Sequence, residues 1–242
     1  AADRAILKDS TRYRVFEPRL GMAHARTAYF HNTIGGYHGA KPHRMQALYD
    51  YHLSETITPN VVNMLNIKYT LQTSEDGSLS AGLNPNAYGN VWLVEEVINC
   101  RSADDEIRRL ATENLAKTAL TTESIPQREF VLDSLSSISL VAHKANELCY
   151  KAAVSSTAFA VFSEMHYPHG WQAYIDGVKV PHFRVNYALR GLIIPTGKHD
   201  VVFRFEPDVI ERGTRIQLAG YGIFVLLIFL SFVPLELKRS KP

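Results

Sequence analysis

The sequence has 242 residues, is 46% hydrophobic and is nearly balanced in charge, with 26 Lys+Arg against 24 Asp+Glu. That balance leaves no electrostatic footprint for nucleic acid, and two cysteines, Cys100 and Cys149, are too few for a disulfide scaffold. The composition suits one or two folded domains with an ample core.

Along the chain, residues 12–37 mix short apolar runs, Tyr13-Arg14-Val15-Phe16 and Ala28-Tyr29-Phe30, with turn signals, and read as strands and loops. Gly35-Gly36-Tyr37-His38-Gly39-Ala40-Lys41 is a loop whose glycines let the backbone approach a neighbour closely. Pro42 suits the first turn of a helix with Met45, Leu48, Tyr49 and His52 on one face, ending near Ser54. Asn60 is placed to cap a short helix carrying Val61, Val62, Met64 and Leu65, and Ile67-Lys68-Tyr69-Thr70-Leu71 has strand character. A turn at 74–78, a loop at 84–90, a strand Val91-Trp92-Leu93-Val94 and a Ser102-capped helix with Ile107, Leu110 and Ala111 on one side complete a mixed α/β region over residues 1–125.

From Phe130 the period changes to two. Ile138, Leu140 and Ala142, then Leu148, Tyr150, Ala152 and Val154, then Phe159, Val161 and Ser163 recur on alternate positions. Trp171, Ala173 and Ile175 run into Asp176-Gly177, a two-residue hairpin signal, and further strands lie at 189–194 and around Val201, Phe203 and Phe205. Short strands at this spacing predict an antiparallel β-sandwich over 126–207, so the fold class is α+β. Cys149 alternates with Glu147 and Lys151 on a polar strand face, and two separate thiols are expected.

Pro207 and Asp208 lead into 216–233, which carries no charge. At ~1.5 Å per residue this run reaches about 27 Å, close to a ~30 Å hydrocarbon core, and basic residues flank both ends. A transmembrane helix is expected over 208–235, started by Asp208 and a Glu211 capping box, with the lipid bilayer as a partner; a buried core helix is the alternative. The tail 236–242 holds Lys238, Arg239 and Lys241 against Glu236, which accounts for the whole net charge of +2. The positive-inside rule then makes the tail cytoplasmic and places residues 1–215 on the outer side. The opening Ala1-Ala2-Asp3-Arg4 offers no signal segment to start export, so the expectation is a C-terminal piece of a longer protein with more spans upstream.

Self-contained chemistry is absent from the sequence. His24, His31, His38 and His43 lack metal-ligand spacing, there is no nucleophile elbow, P-loop or dinucleotide fingerprint, and no catalytic residue, metal or cofactor is expected. Binding is expected at residues 35–44, where Tyr37, His38, Lys41 and Arg44 accompany a helix start: an aromatic face for a sugar and cations with backbone N–H groups for an anion. A scaffolding turn is the competing account.

The block from Phe162-Ser163-Glu164-Met165-His166-Tyr167-Pro168-His169-Gly170-Trp171 through Asp176-Gly177, Pro195-Thr196-Gly197-Lys198-His199 and Phe205-Glu206-Pro207 resembles the C-terminal region of the YfhO family of bacterial membrane proteins. Tyr29-Phe30-His31, Gly35-Gly36-Tyr37-His38-Gly39-Ala40-Lys41, Asn63-Met64-Leu65-Asn66-Ile67-Lys68-Tyr69 and Gly89-Asn90-Val91-Trp92 share the resemblance, while His169 departs from the commoner Pro-Gly-Trp form. It implies a polytopic GT-C glycosyltransferase of the bacterial cytoplasmic membrane. Such a protein takes sugars from polyprenyl-phosphate carriers and adds them to envelope glycans or polymers, with its acidic catalytic residue in an early outer loop ahead of this chain. This segment would then be non-catalytic, structural or on the acceptor side, and partnered by the N-terminal transmembrane part. The rival from another class is a membrane-anchored β-sandwich that binds a glycan or a protein without catalysis.

Overall fold

The computed structural model describes residues 2–37 and 39–232, and of Glu211 the backbone alone. The N-terminal part contains α1 (Ala2–Ile6), β1 (Arg14–Phe16), α2 (Ala25–Phe30), α3 (His43–His52), α4 (Pro59–Met64), β2 (Ile67–Thr73) and β3 (Leu79–Leu83). Strand β1 lies parallel to β2, which turns back through residues 74–78 into antiparallel β3. Segment 28–30, read from sequence as extended, closes α2 instead and leaves Tyr29 and Phe30 exposed. The predicted face of α3 buries Met45, Leu48 and His52, and Pro42 stands at the N-cap just before the first turn. Asn60 does not cap α4. It lies within the first turn, and its amide donates to the Leu110 and Glu113 carbonyls at 3.2 and 2.9 Å.

Four further elements follow: β4 (Val91–Val94), β5 (Glu96–Asn99), α5 (Ala103–Arg109) and β6 (Thr118–Thr121). Strands β5 and β6 pair in parallel across α5. The helix starts where Ser102 Oγ accepts the Asp105 N–H at 3.1 Å, with Asp104 and Asp105 in its first turn and Arg108 and Arg109 in its last, as the helix dipole favours.

Period-two patterning then produces β7 (Ser137–Lys144), β8 (Glu147–Val154), β9 (Ala158–Met165), β10 (Trp171–Ile175), β11 (Val178–Val180), β12 (Phe183–Val185), β13 (Leu189–Ile194) and β14 (Gly197–Phe205). They form two sheets, ordered β11-β10-β14-β8-β7 and β12-β13-β9-β4, each with antiparallel neighbours. Asp176 (φ +50°) and Gly177 (φ +80°) make the tight β10–β11 hairpin, left-handed at both central positions. Leu148, Tyr150, Val201 and Phe203 of one sheet face Ala160, Phe162 and Leu192 of the other, so a shared apolar core fills the sandwich. Cys100 is buried, Cys149 is half-buried among the polar positions of β8, and both thiols are free.

Strand β4, from ahead of residue 125, is an edge strand of the second sheet, with Trp92 opposite Val161 and Leu93 opposite Ala160. Strand β9 is buried on both faces. Ala158, Ala160 and Phe162 point into the sandwich, while Phe159 and Val161 join a second core with Leu48, Val61, Met64, Leu110 and Leu120. The chain leaves β14 through Pro207 into α6 (Asp208–Ser231), whose described side chains are all exposed. An 18-residue stretch of this helix has mean hydropathy 1.6 and the whole helix, at ~1.5 Å per residue, is about 36 Å long, so it is long and apolar enough to cross a membrane. Pro207 occupies the N-cap without a side-chain bond, so Asp208 is not the cap; the Glu211 side chain and the tail 236–242 lie outside the described residues.

Candidate functional site

A polar cleft of about 320 Å³ opens beside β1, between the loop at 31–35 and the end of β9. Alternation along β1 sends Val15 into the core and leaves Arg14 on the other side. Arg14 Nη1 donates to the Leu65 carbonyl at 2.8 Å and to Ser163 Oγ at 3.0 Å, and its Nη2 donates to Glu164 Oε2 at 3.3 Å. Arg12 donates from Nε and Nη2 to Glu164 Oε1 at 3.3 and 3.0 Å. Asn66, left-handed at φ +52° just past α4, donates its amide to the Arg12 carbonyl and to Asn90 Oδ1. Asn32 and His31 complete the wall; His31 Nε2 lies 2.9 Å from Asp3 Oδ1.

Burial works against the charged form of Glu164, but the guanidiniums of Arg14, Arg12 and Arg190 overcome it and hold the carboxyl below its ordinary value. Arg190, only 2% exposed, stands behind it. Its guanidinium lies 4.3 Å from the Trp171 ring and 5.1 Å from the Phe203 ring, Nε donates to the Met165 carbonyl at 2.7 Å, and Nη1 has no hydrogen-bond partner among the described residues. Burial, with Arg14 and Arg12 adding to it against the pull of Glu164 and Tyr150, pushes Arg190 down to about 10. Three guanidiniums thus share one carboxylate. The cleft carries excess positive charge beside neutral amides, a setting that accepts hydroxyls and acidic groups.

The residues expected from sequence are dispersed around this cleft. Lys41 lines an adjoining groove of about 170 Å³ that shares Arg14, Thr33 and Gly35 with it. Gly35 passes so near Met22 that a Cβ there would sit 2.1 Å from the Met22 carbonyl oxygen, the close approach its sequence context suggested. Tyr37 is 85% exposed with its ring in solvent, and His38 lies outside the described residues. Arg44 is engaged elsewhere: it donates to the Tyr187 carbonyl at 3.1 Å, stacks over the Tyr187 ring at 4.6 Å and approaches Glu106 Oε2 at 3.9 Å. Sequence reasoning missed Arg12, Arg14 and Glu164. The available signal was a basic residue inside an otherwise apolar strand, Arg14 between Tyr13 and Val15.

A second polar grouping lies between β9 and β12, where the rings of His166 and His182 are 5.0 Å apart. Burial, and then neighbouring positive charge, pushes each down to about 4, so both are neutral at pH 7. Among the described residues no group of three or more His, Cys, Asp or Glu side chains is arranged to hold a metal. No family model, curated protein or solved structure matches the chain, and the resemblance to the YfhO family rests on the quoted residues alone.

Proposed function

We propose that the chain is the outer-side, membrane-proximal part of a YfhO-type glycosyltransferase that adds sugars from a polyprenyl-phosphate donor to cell-envelope glycans or polymers. On this reading α6 spans a bacterial cytoplasmic membrane, residues 1–215 face outward and the tail 236–242 is cytoplasmic. The N-terminal transmembrane part supplies the catalytic residues, and this segment lines the acceptor side. The observation that carries it is the cleft at Glu164: guanidinium donors in excess of carboxylate, flanked by Asn32, Asn66 and Asn90, suit a polyhydroxylated acceptor with acidic groups.

The test replaces Arg12 by Gln and Asn32 by Ala separately in the full-length protein and measures glycan transfer to the envelope together with protein abundance. Transfer lost at normal abundance in either variant supports an acceptor cleft. Unchanged transfer in both removes the cleft from function, and Lys41→Gln in the same assay reports on the adjoining groove. The exposed rings of Tyr29 and Tyr37 favour a second reading, a membrane-anchored module that binds a glycan or a protein without catalysis. Binding of an envelope glycan by this chain alone, with no transfer by the full-length protein, would select it.

A further inference from the structure

We infer that the groove where the sandwich meets α6 is a phospholipid headgroup site, selective for a headgroup that carries an ammonium beside its phosphate. The inference rests on reading α6 as a membrane helix. The groove, about 610 Å³, has the turn at 167–170 and the end of β14 as one wall and the first turns of α6 as the other. The sandwich wall is fixed. Trp171 N–H donates to the Tyr167 carbonyl at 3.0 Å, Glu206 N–H donates to the Gly170 carbonyl at 2.6 Å, and a Cβ on Gly170 would sit 2.2 Å from the Phe205 ring.

The opposite wall presents Asp208 and Arg212. They are one helical turn apart, about 6 Å along the axis, where opposite charges commonly pair. Here neither side chain makes an ion pair or hydrogen bond among the described residues, whereas nearby Glu206 is already taken by the Tyr174 hydroxyl at 2.6 Å. A cation and an anion held open in one groove match a ligand that carries the complementary pair: phosphate for the Arg212 guanidinium, ammonium for the Asp208 carboxylate. A headgroup with phosphate alone would leave Asp208 facing like charge.

Depth identifies the source of that ligand. Arg212 precedes Ile216, where the charge-free run begins, by four residues or about 6 Å, the level at which headgroups meet the hydrocarbon. Tyr167 and His169 supply aromatic rings at that level, and exposed Val209 and Ile210 offer apolar surface to acyl chains.

The test reconstitutes the whole chain into vesicles holding equal parts of phosphatidylethanolamine, phosphatidylglycerol and phosphatidylcholine, extracts it in mild detergent and counts retained lipids by native mass spectrometry. Phosphatidylethanolamine should be enriched over phosphatidylglycerol, which has no ammonium, and over phosphatidylcholine, whose methylated ammonium has no N–H to donate to Asp208. Asp208→Asn and Arg212→Gln should each lower that enrichment about threefold, the scale of one partly exposed charge pair. Both sites lie outside the sandwich, so thermal melting should be unchanged in either variant. Equal retention of the three lipids, or enrichment untouched in both variants, overturns the headgroup site while leaving α6 in the membrane. Failure of the wild-type chain to float with vesicles of any composition overturns the membrane reading, and the site with it.

Discussion

Glu164, half-buried at the cleft, and Glu106, fully buried on α5, are both carboxylates near arginines, yet their protonation is driven in opposite directions. At Glu164, hydrogen-bonded Arg12 and Arg14 with Arg190 behind them outweigh burial and keep the carboxyl ionised. At Glu106, fully buried, burial prevails and pushes the carboxyl up, against the Tyr187 N–H that Oε1 accepts at 2.8 Å and the more distant charges of Arg184 and Arg44. Contact decides the difference: a guanidinium in hydrogen-bond range offsets desolvation, and Arg44 at 3.9 Å from Oε2 does not. The same contrast separates the cleft arginines, which face open volume, from Arg44, which is spent on holding the corner at Tyr187.

Removing the cleft carboxylate should have the largest effect. Glu164→Gln leaves three guanidiniums with no counter-charge and should cost about 3 to 5 kcal/mol in urea unfolding; a loss below about 1 kcal/mol would show that solvent already neutralises them. Acid titration sharpens the point. The folded value of Glu164 lies below its ordinary 4.5, so its contribution is complete above that value and is lost as pH falls through the folded one. Glu106 acts with the reverse sign: its folded value is raised above 4.5, so stability declines as pH climbs from there through the folded value. Glu164→Gln should flatten the acid limb of the stability profile and Glu106→Gln the limb above it.

Trp171 supports the cleft from behind, half-buried against Phe205 at 5.5 Å and under Arg190. Trp171→Ala should cost about 3 kcal/mol by calorimetry, and an unchanged melt would make Trp171 a surface platform. Arg44→Met should cost about 1 to 2 kcal/mol, through the lost Tyr187 bond and stack, without altering ligand binding at the cleft. Glu106→Gln is expected to be the mildest, within about 1 kcal/mol at pH 7, because the amide oxygen still accepts the Tyr187 N–H and burial already works against the charged carboxylate there. A loss of several kcal/mol there would mean that Arg44 and Arg184 need the negative charge after all.

Features encoded within a few residues were legible in the sequence. Asp176-Gly177 specifies its hairpin through left-handed backbone, Ser102 specifies the start of α5 through one hydroxyl, and alternation along β8 specifies which side chains enter the sandwich. Partners distant in sequence were not. Alternation picked out Phe159 and Val161 but gave no hint that Ala158, Ala160 and Phe162 are buried on the reverse face, because that depends on the opposing sheet. Arg12 and Arg14 meet Glu164 some 150 residues on, a pairing that no local pattern carries. The Asn60 amide likewise serves the end of α5 rather than its own helix, and a cap preference cannot say which helix it serves.

Strand β9, covered on both faces, also bears on how the molecule comes apart and assembles. Peeling β4 from it would take Trp92 and Val94 out of one core and Val91 and Leu93 out of the other, so neither half has a stable intermediate to retreat to. Heat should therefore give a single transition across residues 2–207, with calorimetric and van't Hoff enthalpies equal. Refolding should be slow for a chain of this size, since β4 waits for a partner about 70 residues further along before either core can close.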